Sequence, residues 1–136
     1  MKTTELQKLI DFESCLMMPR YAGGHDEQMQ GLFKGAKVLA HWNEGDYQGT
    51  VATAVQLEDG RFCWYQDGYG SCYGCDSWED ASDDDVRKLL VGMSIDAEVF
   101  DTYEELLANL QQENSIAYWK DQAGIELYKL LMAPKD

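Results

Sequence analysis

Apolar residues recur along this chain with one of two periods, and the changes of period mark its elements. Leu6, Leu9, Ile10, Phe12, Leu16 and Met17 follow a mostly helical spacing behind a capping Thr3 or Thr4, and Pro19 ends the run. Residues 21 to 35 lose periodicity around Gly23 and Gly24 and are expected to form a loop or a short irregular helix. The period then falls to two. Lys37 to Trp42 predicts a first strand, Asn43 to Asp46 a turn, and Thr50 to Leu57 a second strand with Val51, Thr53 and Val55 facing opposite to Ala52, Ala54 and Gln56.

Glu58-Asp59-Gly60-Arg61 is a hairpin signal, since Asp-Gly supplies the positive φ angles that two-residue turns need. The third strand, Phe62 to Gln66, is bulky on both faces: Phe62 and Trp64 point one way, Cys63 and Tyr65 the other. Such a strand is expected at the centre of a sheet, with helices over one face and a loop or a partner over the other.

Helical spacing returns at Ser82, where Asp83, Asp84 and Asp85 meet the unpaired amides of a helix start and Val86, Leu89, Leu90 and Met93 form its apolar face. Glu98 to Phe100 fits a short fourth strand. Asp101 or Thr102 caps a helix with Glu104 and Glu105 in its first turn and Leu106, Leu107 and Leu110 packing it. A last helix is expected from about Ile116 to Leu131 on Ile116, Trp119, Ala123, Leu127 and Leu130, although Gly124 leaves open a hairpin before a shorter helix. The order predicts an α+β fold, an antiparallel three- or four-stranded sheet packed against several helices, in a single compact domain over residues 1–136.

Composition supports a packed core: 45% of the residues are hydrophobic and 12% aromatic, so disorder is not expected beyond the ends. Charge adds more. The formal net is −14, and residues 76 to 105 hold 11 acids against 2 bases. A negative field focused in this way repels phosphate backbones and anionic membranes and steers basic surfaces toward the protein. Direct nucleic-acid binding is therefore not expected, whereas a basic partner that itself binds nucleic acid is. Solubility alone is the plainer reading of the same charge.

MKTTELQKLIDF meets an acid at Glu5 and has no uninterrupted apolar run, so neither a signal peptide nor a membrane span is expected and the cytoplasm is the predicted location. Free thiols are then the default for the four cysteines, and Cys15, near the first apolar stripe, reads as a small buried hydrophobe.

Gly68 to Asp76 carries the one compact motif. Cys72 and Cys75 have the spacing of a zinc knuckle or a dithiol, and Cys63 offers a third thiolate if its strand folds back past the loop; Cys15, His25, His41 or Asp76 would be the fourth ligand. A lone C-x-x-C is an incomplete zinc site. Redox chemistry is disfavoured because Tyr73-Gly74 separates the thiols, no βαβ unit precedes them, and nearby acids raise thiol pKa values. The architectural reading tucks both thiols inward while glycines carry the bend. His41 is a candidate base, but no serine or thiol is tied to it by sequence. No phosphate loop, dinucleotide fingerprint, H-E-x-x-H or EF-hand pattern occurs, so an enzyme is not expected.

The string from Trp42 to Asp80, with Tyr47, Gly49, Gly70, Ser71, Cys72, Cys75 and Asp76, followed by Asp101 and Thr102, resembles small acidic proteins of bacteriophages and their bacterial hosts that carry a G-S-C-x-x-C-D loop. The resemblance covers roughly residues 40 to 110 and implies a phage or prophage accessory context in the host-cell cytoplasm. Joined to the charge map, it makes Tyr73, Asp76, Trp78, Glu79, Asp80, Asp83, Asp84 and Asp85 the candidate partner-binding residues, with carboxylates set where phosphates would sit on a basic host nucleic-acid-handling protein and inhibiting it. Two other expectations stand beside this one. The first is a small zinc-binding module on Cys63, Cys72 and Cys75; the second is a catalytically silent homodimer joined through the Tyr- and Trp-rich loop.

Overall fold

The hairpin at Gly60 sets the register between the two central strands of the sheet. In a computed structural model, residues 6–18, 29–43, 49–69, 82–95, 97–111 and 118–133 are described. Strand β2 (Gly49–Gln56) and strand β3 (Phe62–Tyr69) pair antiparallel from Gln56↔Phe62 to Gly49↔Tyr69. The connection is not the two-residue turn that Asp59-Gly60 predicts. Leu57 N–H donates to the Arg61 carbonyl at 2.7 Å and Gly60 N–H to the Leu57 carbonyl at 2.9 Å, which encloses a three-residue loop. Gly60 alone closes it with φ +96°, a backbone region that side-chain-bearing residues rarely enter. The Asp59 carboxylate clamps the loop by accepting from Arg61 N–H at 3.0 Å and from the Arg61 guanidinium.

Strand β1 (Lys37–Asn43) pairs with the other edge of β2, and strand β4 (Glu98–Phe100) pairs with the first three residues of β3. The sheet is four-stranded and antiparallel, in the order β1-β2-β3-β4. An irregularity between Val38 and Ala40 inserts Leu39 into the β1–β2 pairing. This lets Leu39 and Ala40 join one core cluster while Val38 joins the other, which strict alternation would forbid.

Helices cover both faces. On the side of Val51, Val55, Cys63 and Tyr65 lie helix α1 (Phe12–Leu16), the segment around Met29, Leu32 and Phe33, and helix α2 (Asp83–Ile95), joined in one buried cluster. On the other side, Ala40, Ala52 and Ala54 form a low floor that shares a second cluster with Leu106 and Leu110 of helix α3 (Tyr103–Gln111) and Ala123 and Leu127 of helix α4 (Tyr118–Met132). Small side chains on the strands bring α4 close to the sheet. The second face of β3 is thus covered by helices rather than by a loop or a partner. Trp64 on that face donates its indole N–H to Asn109 Oδ1 at 2.8 Å and so ties α3 to the central strand.

The amino-terminal run is not one helix. Asp11 N–H donates to the Leu32 carbonyl and Lys34 N–H to the Leu9 carbonyl, both at 2.8 Å, around an antiparallel bridge between Ile10 and Phe33. Backbone groups engaged there are lost to the helical ladder, so α1 starts afresh with Asp11 Oδ1 accepting from Ser14 N–H at 3.2 Å. Met17 is consequently 83% exposed instead of lying on the stripe. Of the α4 residues whose burial is described, Ala123, Gly124 and Leu127 are buried, while Leu130 turns outward. Gly124 lies inside the helix, and no hairpin interrupts it.

Candidate functional site

Three of the eight candidate contact residues, Asp83, Asp84 and Asp85, fall within the described residues; Tyr73, Asp76, Trp78, Glu79 and Asp80 lie outside them. The three aspartates form the first turn of α2. Ser82 caps that turn, accepting from Asp85 N–H at its Oγ at 3.1 Å and from Val86 N–H at its carbonyl at 2.9 Å. Because Val86, Leu90 and Met93 are buried in the core, the rotation of α2 is fixed and all three carboxylates face solvent. They complement the positive end of the helix dipole. Arg87 approaches Asp84 at 3.4 Å, but both side chains are largely exposed, so this pair neutralises little of the patch.

A second acidic end escaped the candidate set. Thr102 caps α3 by accepting from Glu105 N–H at 3.2 Å, and Asp101, Glu104 and Glu105 are exposed around it, with Glu98 on the adjacent edge strand β4. The sequence signal was present, but it read as a helix start and nothing more. Every described carboxylate from Asp83 to Glu105 is exposed. The two acidic ends are not one stripe, since α2 places on the order of 20 Å of helix, at about 1.5 Å per residue, between Asp83 and the turn into β4. The first belongs to the layer on one face of the sheet and the second to the layer on the other, with β4 at the edge between them.

Cys63, the candidate third thiolate, is a core residue. It is fully buried between Val55 and Val99 in register, and burial first, then the charge of Glu98, pushes its thiol up to about 12. Cys15 is likewise enclosed, donates its S–H to the Gly31 carbonyl at 3.4 Å, and is pushed up to about 12 by burial and then by Asp11. Both thiols are held protonated at neutral pH, and a protonated thiol is not a nucleophile. Cys72 and Cys75 lie outside the described residues. Among the described residues, no group of three or more His, Cys, Asp or Glu is placed to hold a metal ion.

Tyr65 lies beside these thiols. Its hydroxyl donates to the Met29 carbonyl, its ring meets Phe33 edge-on with centroids 5.4 Å apart, and burial, then Cys63 and Cys15, raise its pKa well above the ordinary phenol value. Cys15 and Tyr65 thus fasten the segment from Met29 to Gly31 over the sheet through its carbonyls. His41 does acquire a hydroxyl partner: its Nδ1 lies 2.8 Å from Thr53 Oγ1, directly across the β1–β2 pairing. Thr53 is fully buried, so the contact satisfies a core hydroxyl and offers no substrate an approach.

No described helix is long and apolar enough to cross a membrane. Neither a protein-family model, nor a curated protein, nor a solved structure matches the chain.

Proposed function

We propose that this protein is a non-catalytic acidic binding protein of phage or prophage type, acting in the host-cell cytoplasm on a basic nucleic-acid-handling protein and inhibiting it by presenting carboxylates where phosphates would sit. The observation that carries this reading is the start of α2, where a serine cap and a buried apolar stripe hold Asp83, Asp84 and Asp85 outward on a rigid element. Pre-organised charge of this kind chiefly accelerates encounter and selects a partner of opposite sign. The formal net of −14 supports the same direction of steering. The second acidic end at Asp101, Glu104 and Glu105 would widen the footprint toward the β4 edge.

The test is capture from host lysate on immobilised protein at low and high salt, followed by competition with duplex DNA for each captured protein. The expected result is one or a few basic proteins released by salt and displaced by DNA. Capture that ignores both salt and the neutralising substitutions Asp83→Asn, Asp84→Asn and Asp85→Asn would refute the proposal.

A further inference from the structure

We draw no further inference here: the strongest candidate, the His41–Thr53 pair on adjacent strands β1 and β2, has the contact of a base with a hydroxyl, but Thr53 is fully enclosed by the core and the pair therefore carries no ligand or substrate site.

Discussion

Gly124 of α4 lies against the backbone of Leu110 in α3, so close that a Cβ built on the glycine would meet the Leu110 carbonyl oxygen at 3.2 Å and its Cα at 3.7 Å. A glycine inside a helix ordinarily weakens it by about 0.5–1 kcal/mol relative to alanine. Here it permits the close crossing of the two helices that roof the alanine floor. Gly124→Val should therefore lose about 1–3 kcal/mol, as overpacked sites do. Gly92 in α2 is the control: a Cβ there meets nothing within 4 Å, and Gly92→Ala should gain about 0.5–1 kcal/mol. Urea midpoints measured for both variants check the pair, and a Gly124→Val protein as stable as the parent would show that the helices do not cross so closely.

The two caps give a second expectation. Ser82→Ala and Thr102→Ala each remove a side-chain oxygen that accepts a first-turn amide, at 3.1 Å and 3.2 Å. Each should lower stability by about 1 kcal/mol, within the range of about 0.5–2 kcal/mol for cap removal. The losses should add, because the caps belong to helices on opposite faces and share no partner. Denaturant unfolding of the two single variants and the double variant measures this directly.

These caps were legible in the sequence because capping is local: Ser82 and Thr102 act on amides three residues away. The strands and the hairpin between β2 and β3 were legible for the same reason, but the three-residue loop shifts their register by one residue from what a two-residue turn at Asp59-Gly60 would set. What escaped was long-range. Nothing near Ile10 announces that it bridges Phe33 and interrupts the first helix. The core role of Met29, Leu32 and Phe33 was hidden by the aperiodic glycine-rich stretch before them, and Leu39 gives no local sign of the bulge it makes. Of the candidate site, the helix starts at Asp83 and Thr102 were both readable, while their placement in layers on opposite faces of the sheet was not.

Alkaline pH should unfold the protein earlier than its carboxylates would suggest. Unperturbed thiols lose their proton near pH ~8.5 and phenols near ~10, but Cys15 and Cys63 are pushed up to about 12 and Tyr65 well above its usual value. For these groups the unfolded chain binds fewer protons than the folded one above about pH 8.5, so stability falls as pH rises through that point. Their contribution is complete below the unfolded thiol value and is lost progressively on the way to about pH 12. Urea midpoints between pH 7 and 11 should show the decline, and Cys15→Ala and Cys63→Ala should each flatten it relative to their own pH 7 values. Thiol-specific reagent should leave both cysteines unmodified until the protein unfolds.

Acid acts on Asp59 with the opposite sign. Hydrogen bonds from the Arg61 side chain and backbone hold its carboxyl below the ordinary range, so its contribution is present above the unfolded value of about 3.9 and is lost as pH falls through the folded one. The pair is partly exposed, with side chains 32% and 43% accessible, and solvent screening limits it to about 0.2–1 kcal/mol. Asp59→Asn should lower the pH 7 midpoint by that small amount, and its difference from the parent should shrink as pH falls below about 3.9.

Asp83, Asp84 and Asp85 have a local role and a proposed remote one, and neutralisation separates them. Carboxylates near a helix N-terminus contribute about 0.3–1 kcal/mol each at low salt, so Asp83→Asn, Asp84→Asn and Asp85→Asn together should lower stability modestly while Ser82 keeps the helix capped. If support of α2 were their whole purpose, this loss would be the entire effect and capture of a basic partner would not change. The docking role predicts instead a fall in association rate and a shallower dependence on salt, with the far-ultraviolet circular dichroism of the parent retained. Neutralising Glu104 and Glu105 in a second variant asks how far the footprint reaches. A partner that spans the β4 edge loses affinity in both variants, whereas one seated on α2 alone responds only to the first.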